Sequence, residues 1–178
     1  TAWLASRLGA ENLVLLDASM TKIVGREPKV YDNPVYIPNA QLCDLEHAFV
    51  EAEADLANTF PSPQTCWEQA QKLGINDDSV VVIYDNQGVY SSPRAWWIFR
   101  AMGISKVYVL DGGLPRWIAE GRDTQGEIRF TETKNGALTL QLHDRAICDA
   151  LHVLHGSQAG HIQLIDARSH DRFTGAVP

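Results

Sequence analysis

The stretch VVVIYDNQGVYSSPRAWWIFR, residues 80–100, decides the fold class. It opens on five residues, Val80 to Tyr84, without a polar alternation, and such a run reads as a strand buried on both faces. The run stops at Asp85. A short loop from Asn86 to Ser91 follows, and then a helical pattern runs to Met102, with Ser92 predicted as N-cap, Pro93 as first helical residue and Gly103 as stop. The segment Ala95-Trp96-Trp97-Ile98-Phe99 makes that helix apolar nearly all round, which predicts burial.

The same unit recurs on either side. Ala2 to Leu8 reads as a helix stopped by Gly9, and Leu13 to Leu16 is an apolar run ending in Asp17. Pro63 to Leu73 is helical up to Gly74, Val107 to Leu110 is a run ending in Asp111, and Leu114 to Glu120 is helical before Gly121. Short apolar strands separated by helices define an α/β fold, a parallel sheet with helices on both faces. Residues from Gly121 to Asp144 break the rhythm. They are polar and glycine-containing, and the alternation from Ala137 to Leu142 predicts one extended stretch inside a linker.

Beyond the linker the opening pattern returns. Ile147 to His155 reads as a helix stopped by Gly156, and Ile162 to Ile165 as a strand ending in Asp166. AWLASRLG…LVLLDAS (residues 2–19) and DALHVLHG…IQLIDARS (residues 149–169) share the order helix, glycine, loop, strand, Asp-Ala, and the step from Asp17 to Asp166 is 149 residues (166 − 17). That step is one domain length, so the chain reads as a unit and the start of its repeat. The expected division is a first domain over 1–122, a linker over 123–146, and over 147–178 the first helix and strand of a second, truncated domain. A lone strand has unpaired edges. This tail is therefore expected to dock on the first domain, to self-associate with a second copy, or to be completed by residues beyond Pro178.

Composition narrows the function. The chain has 178 residues, 45% of them hydrophobic and 21% charged, which are globular values. Its net charge of −7 argues against nucleic-acid or anionic-membrane partners, and an anionic substrate would need a local basic pocket working against that field. No apolar run is long enough to span a membrane. Cys43, Cys66 and Cys148 form neither a CxxC pair nor an even framework, which points to a reducing, cytoplasmic compartment. Residue 1 is Thr rather than Met, so a removed targeting segment stays open.

Two loops could carry chemistry. The first, Asp85-Asn86-Gln87-Gly88-Val89-Tyr90-Ser91, lies where a strand feeds a helix, the usual ligand position in parallel α/β sheets. Its N–H groups and the helix N-terminus attract anions, yet Asp85 puts a carboxylate into that field. Arg94 falls in the first helical turn, where the macrodipole disfavours a cation, and either answers Asp85 or is an ordinary solvated arginine. The second loop, Asp166 to Gly175, places Arg168 and Arg172 just past a strand end, which suits a carboxylate or oxyanion, or is plain surface charge. His152 and His155 have metal-pair spacing, but nothing completes a site, and no metal or cofactor is expected. Cys43 and Cys66 sit in apolar contexts and read as structural thiols.

The residues from Val81 to Trp117, VVIYDNQGVYSSPRAWWIFRAMGISKVYVLDGGLPRW, resemble the N-terminal half of tandem-domain rhodaneses of the 3-mercaptopyruvate/thiosulfate sulfurtransferase type. IPNAQLCDLE (residues 37–46) and LIDARSHDRFTG (residues 164–175) are similar to further stretches of that family in the same order. The resemblance implies two rhodanese domains, of which only the second is catalytic. There a Cys takes sulfane sulfur from mercaptopyruvate or thiosulfate as a persulfide and hands it to a thiol or cyanide acceptor. It puts Asp85 where that Cys would stand, so the Asp85–Ser91 cradle is implied to be inactive and the nucleophilic Cys to lie outside this chain. Arg172 matches an arginine that grips the substrate carboxylate, and Asp44 an acid that the family pairs with a histidine in a proton relay. That histidine position is Asn58 here, and the family's HIPGA histidine and glycine are Tyr36 and Asn39, which puts mercaptopyruvate turnover in doubt. The alternative is a non-catalytic rhodanese-like module that binds an anion or a protein.

Overall fold

The computed structural model describes residues 1–51, 53–54, 56–128, 136–143 and 145–177. The chain divides into two compact units, Thr1–His143 and Asp144–Pro178.

In the first unit four parallel strands form one sheet in the order β2-β1-β3-β4: β1 Leu13–Asp17, β2 Gln41–Leu42, β3 Val80–Tyr84 and β4 Val107–Val109. The register sets Asp17 of β1 opposite Tyr84 of β3, so the strand-ending acids gather at the carboxyl end of the sheet. Successive side chains of a strand point to opposite faces. Leu15, Val82 and Tyr84 accordingly pack with Leu4 of α1 (Ala2–Ala5) and with Leu114 and Trp117 of α4 (Gly113–Ala119). Val14, Leu16, Val81 and Ile83 pack on the other face, with Cys66 and Ala70 of α2 (Pro63–Lys72) and Ala95, Ile98 and Phe99 of α3 (Ser92–Ala101). Each large side chain removed from water in this way contributes ~1.5–3 kcal/mol.

Helix α2 starts as its sequence requires: Ser62 Oγ accepts from Thr65 N–H at 3.1 Å and Pro63 is in the first turn. Helix α3 starts differently. Ser91, not Ser92, is its N-cap, and Ser92 is already helical with its hydroxyl turned to Asp85. Nor is α3 buried all round, for Trp96 is 39% exposed. Its indole N–H donates to the Val107 carbonyl at 3.1 Å, so an aromatic with one polar edge can bridge the helix to β4 at the rim.

Residues 136–143 lie along the first unit in extended form without joining the sheet. Their alternation reappears as burial: Leu138, Leu140 and Leu142 pack against the core while Ala137, Thr139 and Gln141 face outward. Gln141 N–H donates to the Met102 carbonyl and His143 N–H to that of Ala101. Gly103, at φ +92°, makes room for this: a Cβ there would stand 2.9 Å from the Gln141 carbonyl oxygen.

The second unit holds α5 (Ala150–Gln158), capped by Asp149, which accepts from His152 N–H at 2.7 Å, and α6 (His170–Phe173). Two expectations are corrected here. Gly156 does not stop the helix but lies inside α5, where the Ile162 side chain packs close to it. The run from Ile162 to Ile165 is not a strand, because a strand exists only by pairing and no ladder partner is found among the described residues. No described residue of this unit is buried.

Candidate functional site

Asp85 is fully buried at the carboxyl end of β3. Its Oδ1 accepts from Gln87 N–H at 2.9 Å. Its Oδ2 accepts from the N–H groups of Tyr90 (2.8 Å), Ser91 (3.1 Å) and Ser92 (3.0 Å) and from Ser92 Oγ (2.6 Å). Donors converging from a loop and the first turn of a ten-residue helix make an anion receptor. Here the receptor is occupied by the chain's own carboxylate. The loop can close this tightly because Gly88 takes φ +107° and because residue 113 lacks a side chain: a Cβ at Gly113 would meet the carbonyl oxygens of Gly88 at 2.3 Å and Asp85 at 2.5 Å.

Two further layers hold the cradle. Ser19 Oγ donates to Asp17 Oδ1 and accepts from Asn86 N–H at 2.9 Å, tying the end of β1 to the loop. Burial pushes the Asp17 carboxyl up from its ordinary value, only partly offset by its bonds to Ser19. From outside, the segment between β1 and β2 straps the loop down. The Gln87 amide exchanges two hydrogen bonds with the Lys29 backbone, at 2.7 and 3.0 Å, and Tyr31 Oη donates to the Asn86 carbonyl at 2.8 Å. Arg26 donates to the Gln87 carbonyl at 2.6 Å with its guanidinium 4.8 Å from the Tyr90 ring centroid. Sequence reading missed the parts played by Ser19, Arg26, Tyr31 and Ser92. The first three act 55 to 67 residues away in sequence, and no local pattern marks them.

Arg94 does not answer Asp85. The carboxylate is saturated by donors of its own loop, and Arg94 Nε and Nη2 are buried with no hydrogen-bond partner among the described residues. The Ser91 hydroxyl, in a residue 3% exposed, is likewise without one.

Asp44 follows β2 at the same carboxyl end of the sheet. Its Oδ1 accepts from the Glu46 and His47 N–H groups, each at 2.9 Å, and its Oδ2 lies 3.2 Å from His47 Nδ1. Asn39 and Asn58 both take left-handed backbone, at φ +66° and +59°. Asparagine tolerates that region far better than most residues, so Asn39 can stand where the resembled family carries glycine. Tyr36 bridges to Gln125. Arg172, Arg168 and Asp166 belong to the second unit, where Arg168 clamps the Asp166 carboxylate through two nitrogens. Cys43 and Cys66 are buried, and burial pushes both thiols up, that of Cys66 to about 12, which disfavours the thiolate form a nucleophile needs. Cys148, His152 and His155 are exposed. Among the described residues no cluster of His, Cys, Asp and Glu is arranged to hold a metal ion, and no helix is long and apolar enough to cross a membrane.

Comparison with known proteins adds the following. The family of the rhodanese-like domain matches residues 1–120. The 3-mercaptopyruvate sulfurtransferase of Escherichia coli K12 is 30% identical over 177 residues, covering 98% of this chain and 62% of the relative. Thiosulfate/3-mercaptopyruvate sulfurtransferase 2 of Arabidopsis thaliana is 36% identical over 127 residues, 71% of this chain and 37% of its own length. The mouse thiosulfate sulfurtransferase is 31% identical over 185 residues, covering the whole chain and 61% of the relative. Among solved structures, the 3-mercaptopyruvate sulfotransferase SseA of Escherichia coli superposes with a TM-score of 0.83 at 29% identity, over 99% of this chain and 67% of that one. The chain thus spans less than two thirds of the length of these curated relatives.

Proposed function

The chain belongs to the rhodanese-like domain family, and from that premise we propose that it is part of a longer sulfurtransferase whose reacting cysteine lies outside these 178 residues. Its relatives carry mercaptopyruvate and thiosulfate in their names, and the proposed donor is one of these anions. In the proposed reaction a Cys thiolate attacks the donor's transferable sulfur, the thiol sulfur of mercaptopyruvate or the outer sulfur of thiosulfate. The S–S bond of a persulfide forms as the C–S or S–S bond of the donor breaks. The bond electrons leave with pyruvate enolate, which takes up a proton, or with sulfite, and a thiol or cyanide acceptor then removes the outer sulfur. The proposed setting is the cytoplasm.

One observation carries the assignment of the first unit as non-catalytic: the cradle that would hold an anionic persulfide already holds the Asp85 carboxylate. An oxygen in place of sulfur cannot accept sulfane sulfur. The same saturation counts against the cradle as a receptor for a free anion. We assign Arg172 to the donor's carboxylate and Asp44 to proton relay in the longer protein. The proposed division is 1–122 as the non-catalytic domain, 123–146 as linker and 147–178 as the beginning of the second domain.

The test is turnover. Thiocyanate from thiosulfate and cyanide, and pyruvate from mercaptopyruvate, are measured with the 178-residue chain beside a variant in which Cys43, Cys66 and Cys148 are all serine. Equal, background rates are expected. Turnover by the chain above the cysteine-free variant overturns the reading.

A further inference from the structure

The first turn of α3 carries three polar atoms that have no hydrogen-bond partner among the described residues and do not touch Asp85: the hydroxyl of Ser91, whose N–H serves the cradle, and Arg94 Nε and Nη2. Residues three apart on a helix share a face. Nε and Nη2 are the side-on edge of the guanidinium, whose two parallel N–H bonds match two coplanar acceptor oxygens. Arg94 is half-buried as a residue, with this edge of the guanidinium closed off from solvent, and it keeps its proton at ordinary pH even though burial lowers its pKa. Polar N–H groups closed off from water without a partner are costly, so an anion that met this edge would supply the acceptors it lacks. The turn also lies at the carboxyl end of the parallel sheet, where ligands of such folds sit.

We propose that Arg94, with the Ser91 hydroxyl, forms an anion-binding site of the first unit, distinct from the filled cradle, that receives a small oxyanion presenting two oxygens to the Nε–Nη2 edge. The site does not depend on sulfur-transfer chemistry. It is the local basic spot that an anion needs on a chain with net charge −7. Both nitrogens are shielded from solvent, so binding requires the surrounding side chains to move.

The test titrates the ¹⁵N-labelled 178-residue chain with sodium acetate and with sodium sulfate, each against sodium chloride at matched ionic strength. The readout is the Arg94 Nε–H resonance and the amides of Ser91 to Ala95. A saturable shift with acetate, sulfate or both, absent with chloride, is expected. The stronger of the two tells a planar carboxylate from a tetrahedral sulfur oxyanion. R94K, whose ammonium cannot fork, should abolish the saturation, and S91A should weaken it about tenfold, the loss of one charge-assisted hydrogen bond. If R94K fails to fold, S91A decides alone, since a serine-to-alanine change removes only the hydroxyl. No saturation with either anion, an equal response to chloride, or full affinity in both variants overturns the proposal.

Discussion

Asp17 and Asp166 close the two copies of one sequence pattern, and locally they behave alike. Each accepts, at 2.9 Å through Oδ1, the N–H of the residue two positions on, Ser19 in one and Arg168 in the other. Beyond that turn they diverge. Asp17 is 2% exposed at the end of a strand paired on both sides, and burial pushes its carboxyl up. Asp166 ends an unpaired run on the surface, and the Arg168 guanidinium holds its carboxyl below the ordinary value. The turn is written in a few adjacent residues. The buried setting is written in partners about 25 to 70 positions away, and only the first copy has them.

The comparison is broken most easily by hydrogen exchange. Amides of β1 and β3 are held in the central ladder and should exchange through near-global opening, whereas those from Ile162 to Ile165 have no ladder to leave. A protection difference of roughly a thousandfold or more is expected. Protected amides in 162–165 would mean that the second copy has found a sheet after all.

A substitution at the filled cradle comes next. D85A strips the acceptor from four N–H groups and the Ser92 hydroxyl, all in a buried loop. Urea unfolding should show a loss of about 3 kcal/mol or more, since each unsatisfied buried donor costs ~1–3 kcal/mol and water can relieve some of them. A loss under ~1 kcal/mol would mean that the loop relaxes freely and that the carboxylate does not organise it.

The smallest effects sharpen the contrast between the two acids. The folded-state pKa of Asp17 lies above its unfolded value, so its favourable contribution is full below the unfolded pKa and is lost as pH rises through the folded one. D17N keeps an Oδ1 acceptor for Ser19 N–H and removes the charge. It should raise the urea midpoint at pH 7, with the gain vanishing toward about pH 4. Asp166 has the opposite sign: its contribution is present above the unfolded pKa and is lost as pH falls. It is exposed, however, and its pairing is screened by salt, so D166N should leave the midpoint unchanged at both pH values. A D17N gain that persists or grows on acidification contradicts the account of Asp17.

The sheet was legible because its strands are continuous apolar runs: Val80–Tyr84 has the bounds read from the sequence. Its helices were placed to within a few residues by Pro63, Gly74 and Gly103. What failed was relational. Ile162 to Ile165 has the composition of a strand, but pairing is a property of two segments. Gly156 resembles a helix stop, yet in α5 it is the flat spot against which Ile162 lies. At the site, the cradle loop itself was legible from Asp85 to Ser91. Its contents were not, because Ser92 had two local fates, capping the helix or bonding Asp85, and only the folded loop chooses between them. Arg94 stayed open between an Asp85 partner and a solvated side chain for the same reason: only the folded loop shows that five donors of its own already claim that carboxylate.

The Asp85 cradle has a consequence for how such a fold depends on its surroundings. A receptor filled by a diffusible anion gains stability only as RT ln(1 + [L]/Kd), so its integrity follows the supply of that solute. Asp85 is tethered to the strand beneath its own receptor, and dilution cannot empty it. The closed form of the loop therefore does not follow the concentration of any small anion in the surrounding solution.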